Sequence, residues 1–156
     1  MGRLIGGVLL GYVTIAFVVF AALSLAYVAV GTDGAFRPGV FDVSPLWMAI
    51  SIVVGFGAAF LGGVIARRIV RDGLGPKILA GVIVFLGVVM ALTAGGAAEV
   101  AGVRTESIGT FEAMQFAQTP FWMMLLNPVI GAIGVLLGGG VLGPGRAKAA
   151  PDVVAT

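Results

Sequence analysis

The segment GAFRPGVFDVSPLWM at residues 34–48 recurs as GTFEAMQFAQTPFWM at residues 109–123. Six of these fifteen positions are identical at an offset of 75 residues, and they include both tryptophans of the chain. The identical pairs are Gly34 and Gly109, Phe36 and Phe111, Phe41 and Phe116, Pro45 and Pro120, Trp47 and Trp122, and Met48 and Met123. A match that includes the rarest residue types predicts an internal duplication.

The similarity continues into the flanking apolar segments if one-residue slips are allowed. The aligned flanks are RLIGGVLL (3–10) with KILAGVIV (77–84), and VVGFGAAFLGG (53–63) with VIGAIGVLLGG (129–139). Each unit therefore contains a basic residue, an apolar segment, an aromatic loop, a Ser/Thr-Pro-x-Trp motif and a second apolar segment. The sequence predicts two units, 1–73 and 74–143, followed by a tail at 144–156 that we expect to be disordered.

The composition places the apolar segments in a membrane, because 60% of the residues are hydrophobic and 10% are charged. A helix of about 20 apolar residues crosses the hydrocarbon core of a bilayer, which is about 30 Å thick. Four runs without a charged residue meet this requirement, at 4–30, 46–66, 78–98 and 121–142. We predict an all-α membrane protein whose four transmembrane helices form two tandem, parallel-related helical hairpins.

The basic residues predict the orientation, because Lys and Arg concentrate in loops that stay in the cytoplasm. Arg37 and Arg104 lie on one side of the predicted membrane and the other seven basic residues on the opposite side: Arg3, Arg67, Arg68, Arg71, Lys77, Arg146 and Lys148. Both termini are therefore expected in the cytoplasm, with the chain in the cell (inner) membrane. The cluster at 67–77 is interpreted as an orientation signal rather than a patch for anionic lipid or nucleic acid, and no nucleic-acid partner is expected.

The repeated motif suits the start of a helix at the membrane surface. Ser44 and Thr119 are predicted to cap the second helix of each unit, with Pro45 and Pro120 in its first turn. Both tryptophans are expected at the membrane interface. Two matched aromatic lids are predicted at this end, as lipid anchors or as a ligand cage, from Phe36, Phe41, Phe111 and Phe116.

Small residues at four-residue spacing indicate where helices approach closely, since association in lipid depends on backbone contact at Gly and Ala. The candidate helix-packing residues are Gly7, Gly11, Ala58, Gly62, Gly134 and Gly138. These faces are more numerous than one compact bundle needs. They therefore permit contact with a second copy of the chain or with other membrane helices, besides the lipid bilayer itself.

Asn127, followed by Pro128, is the most polar position inside a predicted helix. Such an Asn commonly forms a hydrogen bond between helices, with the Pro as a tolerated kink, and it alternatively lines a pore. The chain has no Cys and no His, and no carboxylate lies inside a predicted span. We therefore expect no catalytic, cofactor or metal site, and no enzyme activity.

The order GAFRPG, SPLW and GFGAAFLGGVIARR resembles an uncharacterised group of small bacterial four-span membrane proteins, over most of the chain. The resemblance implies a multi-pass protein and brings no activity and no site residues. From the residues we expect a structural or accessory subunit that packs against other membrane helices. The alternative is an oligomeric channel or transporter for a small solute or ion, with Asn127 on its path.

Overall fold

The computed structural model of the chain describes residues 1–71, 73–94 and 109–142, and it contains five helices in these ranges. They are α1 (Gly2–Ala35), α2 (Pro45–Val70), α3 (Leu74–Ala94), α4 (Thr110–Phe116) and α5 (Phe121–Gly138). All but α4 are long and apolar enough to cross a membrane. The prediction of an all-α chain with four potential transmembrane helices is therefore confirmed. The predicted tail at 144–156 and the 95–98 end of the third predicted span lie outside the described residues.

The helix ends differ from the predicted ones for local reasons. α1 continues beyond residue 30 to Ala35, across a break at Gly31, whose φ of 68° and ψ of −179° are accessible mainly to glycine. α5 stops at Gly138, before the predicted residue 142, because Gly140 has a φ of 64° and turns the chain. The short helix α4 has too few residues to give a periodic apolar signal, and the sequence did not predict it.

The four long helices form a bundle in the order α1, α2, α5, α3, in which α2 also contacts α3. The most extensive packing joins α1 to α2, α2 to α5, and α3 to α5, whereas α1 and α3 pack least among neighbours. The two helices of each predicted hairpin are therefore in contact, as a tandem duplication requires. The parallel relation between the two units stays a prediction.

Buried side chains form two clusters at opposite ends of the helical bundle. The cluster at the basic end, where Arg3, Arg67, Arg68 and Lys77 lie, contains Ala59, Ala66, Leu79, Ala80 and Val135. The cluster at the loop end, formed by residues 36–44 and 109–120, contains Tyr27, Ala35, Phe36, Val43 and Ala113. No polar or charged side chain is buried in the described part of the chain. The space between the two clusters is the candidate functional site.

Candidate ligand cavity

A cavity of about 530 Å³ lies between the two clusters and is lined by side chains from all four long helices. Most of its wall is aliphatic or aromatic, and none of the described residues that line it is charged. The polar side chains on the wall are Tyr12, Ser51, Thr119 and Asn127. Ligand sites in proteins commonly have this character, an apolar cavity of roughly 300–1,000 Å³ with a few polar groups that orient the ligand.

The polar groups of this cavity are available to a ligand. Within the described part of the chain, Ser51 and Asn127 form no side-chain hydrogen bond. An amide in an apolar environment has donors and an acceptor to satisfy. The predicted interhelical hydrogen bond of Asn127 is therefore not formed among the described residues, and Asn127 instead lines the cavity and remains exposed. Ser51 and Asn127 occupy equivalent positions at an offset of 76, the offset at which 53–63 aligns with 129–139.

Glycine contacts close the cavity at the basic end. A Cβ atom at Gly63 would clash with the backbone of Val135, so α2 and α5 touch there without intervening side chains. A Cβ atom at Gly11 would lie 2.9 Å from the carbonyl oxygen of Gly62 and 2.7 Å from Leu79 Cδ2, which brings α1, α2 and α3 together. Close backbone approach of this kind is the main source of helix association in lipid. The floor of the cavity therefore consists of directly packed helices.

The six predicted helix-packing residues all lie within this bundle. Gly7 faces Ile69 and Val70, and Gly134 faces Ala59 at 3.0 Å, each measured from the Cβ atom that the glycine lacks. The same test places Gly138 against the backbone of Phe60, and Ala58 is 1% exposed. The sequence analysis named these six as helix-packing residues, and the contacts made by them lie within one chain. They are therefore not the surplus faces that would permit contact with a partner.

The lateral wall between α3 and α5 is closed by a proline fitted against a glycine. The ring of Pro128 occupies the space in which a Cβ atom of Gly87 would lie. Pro128 is buried. The kink position predicted from Asn127 and Pro128 therefore serves two purposes, with Pro128 sealing α5 against α3 and Asn127 lining the cavity.

A pair of backbone hydrogen bonds forms the roof at the loop end. The Gln118 N–H donates to the Phe41 carbonyl over 2.9 Å, and the Val43 N–H donates to the Gln118 carbonyl over 3.1 Å, as in parallel strands. Above them the ring of Phe41 contacts both Phe36 and Phe116, at centroid distances of 6.1 and 5.5 Å. The prediction of two matched aromatic lids is wrong, because residues of both units join in one cluster. The fourth predicted member, Phe111, is 73% exposed.

The two copies of the Ser/Thr-Pro-x-Trp motif differ in their caps. Ser44 Oγ accepts from the Trp47 N–H over 3.0 Å and donates to the Gly34 carbonyl over 2.5 Å, so the predicted cap of α2 is confirmed. The predicted cap by Thr119 is wrong, because Pro120 itself occupies the N-cap position of α5 without a side-chain bond.

The two tryptophans also differ in their surroundings. Trp47 lines the cavity and contacts the edge of Tyr27 at 5.9 Å between ring centroids, whereas Trp122 is 56% exposed. The expectation that both lie at the interface overlooked the role of Trp47 inside the bundle. Because α5 begins one residue later in its unit than α2 does, the equivalent of Trp47 on the cavity wall is the buried Met123.

No protein-family model, no curated protein and no solved structure matches the chain. No relative therefore assigns a role to the cavity, and its role has to be inferred from its geometry. Sequence reasoning singled out Asn127 as a polar or pore position and did not identify Gly55 and Gly131 as wall residues. The offset-76 alignment held the signal for them, since it pairs Ser51 with Asn127 and Gly55 with Gly131 on facing helices.

Proposed function

We propose that the protein is a multi-pass protein of the cell (inner) membrane, with both termini in the cytoplasm, that binds an uncharged and largely apolar molecule in its central cavity. One observation carries this proposal: an apolar space of about 530 Å³ holds the unpartnered polar groups of Ser51 and Asn127. Polar side chains within membrane-spanning helices commonly mark a ligand or transport path. Binding inside the bundle is the first step of a carrier, the transporter alternative of the sequence analysis.

The chemistry of the wall excludes ions as the favoured ligand. A charged species in a low-dielectric cavity needs an opposite charge or several aligned dipoles, and the described wall residues include no charged group. The glycine contacts at the basic end also close the cavity within a single chain. This geometry fits the binding of a neutral molecule inside the bundle better than the conduction of ions through it.

A structural or accessory role is the second candidate, and the exposure of α1 favours it. Of the 34 residues of α1, the buried ones are Gly7, Gly11, Tyr27 and Ala35. Within the described ranges α1 makes no contact with α5, so much of its apolar surface is free for lipid or for a helix of another membrane protein. The six small residues no longer support this role, because they pack inside the chain. No enzymatic step is proposed.

Identification of co-extracted small molecules tests the binding proposal. The protein is extracted in a mild detergent, washed, and its bound molecules are released and identified by mass spectrometry. Gly55→Leu is the test variant, because Gly55 lines the cavity and a Cβ atom there meets no other atom within 4 Å. Gly57→Leu is the matched control, since Gly57 lies on the same helix, has the same open surroundings and does not line the cavity.

The proposal expects one neutral molecule that is enriched with the unmodified chain and with Gly57→Leu, and lost from Gly55→Leu. Equal small-molecule content in all three proteins contradicts it. Loss of a co-extracted membrane protein on substitution of exposed α1 residues such as Phe17, with no neutral molecule bound, supports the accessory role instead.

A further inference from the structure

The cavity has a side opening toward lipid between α1 and α3. Tyr12 on α1 and Leu86 and Met90 on α3 line the cavity, yet they are 40%, 37% and 69% exposed. A side chain that both lines a cavity and remains exposed lies at its mouth. One close contact between these helices, Gly11 with Leu79, is at the basic end. The exposure of the three lining residues indicates looser packing of the two helices beyond that contact.

Contacts already described close several other parts of the cavity wall. Tyr27 and Trp47 join α1 to α2, and Pro128 against Gly87 joins α3 to α5. The hydrogen bonds of Gln118 cover the loop end and the packed glycines cover the basic end. Among the described residues, these contacts leave the interval between α1 and α3 open, and Asn127 on α5 is a further wall residue that is exposed.

The surroundings of this opening select the kind of molecule that reaches it. Phe17 and Phe20 on α1 and Phe85 on α3 are large apolar side chains exposed on the same helices. They lie within potential transmembrane spans, where the solvent is acyl chains rather than water. A molecule dissolved in the bilayer meets the opening directly. A water-soluble solute would first have to cross hydrocarbon.

We propose that the cavity takes an uncharged single-chain lipid, which enters sideways from the bilayer between α1 and α3 and places a hydroxyl, ester or amide group between Ser51 and Asn127. Asn supplies donors and an acceptor and Ser supplies one of each, so together they satisfy a neutral group of this kind. The hydrocarbon chain of the lipid then contacts the aliphatic side chains of the cavity wall. A phospholipid head group is excluded, because no charged residue among those described on the wall would compensate its phosphate. This inference rests on the proposed binding function and specifies its ligand class and route.

The placement of the two tryptophans provides the test, since Trp47 is on the cavity wall and Trp122 is exposed on the outside. Trp122→Phe leaves Trp47 as the sole tryptophan, and Trp47→Phe leaves Trp122. Each protein, reconstituted in phosphatidylcholine vesicles, is titrated with a long-chain alcohol that carries bromine on its chain, a short-range quencher of indole fluorescence. A phosphatidylcholine brominated at the same chain depth is the control quencher.

Saturable quenching of Trp47 by the brominated alcohol, complete at about one molecule per chain, is expected if the cavity beside Trp47 takes one molecule. Trp122 should show only a gradual increase in proportion to the quencher in the bilayer, with either quencher. Gly55→Leu in the Trp122→Phe protein should abolish the saturable phase, and Gly57→Leu should retain it. Replacing both Ser51 and Asn127 by Ala should weaken binding about tenfold, the equivalent of one or two net hydrogen bonds.

Proportional quenching of Trp47 by both lipids overturns the inference. If a neutral water-soluble molecule nevertheless co-extracts with the unmodified chain and not with Gly55→Leu, the binding function stands and the lipid class and lateral route fail. If neither experiment distinguishes Gly55→Leu from Gly57→Leu, both proposals fail together.

Discussion

The contact between α2 and α5 at Gly63 predicts a large difference between two chemically identical substitutions on one helix. In Gly63→Ala the new methyl group would meet the carbonyl oxygen of Val135, and its carbonyl carbon and Cα at 2.8 and 2.9 Å. These are backbone atoms, so no change of side-chain rotamer relieves the clash. In Gly57→Ala the methyl group meets no other atom within 4 Å. The second substitution is therefore a matched control for the first.

The expected difference in the free energy of unfolding follows from two opposing effects. Replacing Gly by Ala inside a helix stabilises it by about 1 kcal/mol, and this gain is common to both variants. Overpacking a close-packed contact costs about 1–3 kcal/mol, and the upper value applies at Gly63 because backbone has to move. The shared gain cancels in the comparison. The free energy of unfolding of Gly63→Ala should therefore be about 3 kcal/mol below that of Gly57→Ala.

Reversible unfolding by sodium dodecyl sulfate in mixed micelles, followed by circular dichroism, measures this difference. We expect Gly57→Ala to be slightly more stable than the unmodified chain and Gly63→Ala to be about 2 kcal/mol less stable, the clash minus the propensity gain. Equal stability of the two variants would refute the direct contact of α2 and α5 at Gly63 and Val135. The glycine-packed floor of the cavity would then be wrong.

Three further predictions follow from the caps, the cavity wall and the proposed orientation. Ser44→Ala should lower the free energy of unfolding by about 1 kcal/mol through loss of the α2 cap, whereas Thr119→Ala should change it by less than about 0.5 kcal/mol; equal effects in micelle unfolding would contradict the asymmetry. Asn127→Leu should change the free energy of unfolding by no more than about 1 kcal/mol and should lower the amount of bound molecule that co-purifies. A larger loss of stability would indicate that Asn127 forms a structural hydrogen bond. In intact cells an impermeant thiol reagent should label a single Cys at Asp33 and spare one at Gly73; the reverse pattern would invert the topology.

The membrane character and the helix contacts were predictable from sequence because they depend on local composition and spacing. Charge-free apolar runs predict four spans whatever the tertiary packing, and Ser44 before Pro45 predicts a helix start from local hydrogen bonding alone. The spacing of Gly134 and Gly138 predicted close packing at these residues. It did not predict which helix packs there, because a small residue accepts any neighbour.

The cavity was not predictable from the sequence, because it depends on the level at which neighbouring helices cease to contact each other. On α2, small residues recur at four-residue spacing, and nothing in the sequence distinguishes them, yet they have two roles in the structure. They are Ser51, Gly55, Ala59 and Gly63. The last two of them touch α5, and the first two line the open space. Helix-by-helix periodicity contains no information on where two neighbouring helices cease to touch.

The stability of Gly55→Leu, measured on delipidated protein in micelles, tests most directly whether the bundle holds an open cavity. If it does, the leucine side chain occupies free space, and the free energy of unfolding should equal that of the unmodified chain or exceed it by about 1 kcal/mol from helix propensity. If the helices instead close against each other at this level, the same side chain forces them apart. A loss of about 1–3 kcal/mol, as expected for overpacking, would contradict the cavity and the binding function based on it.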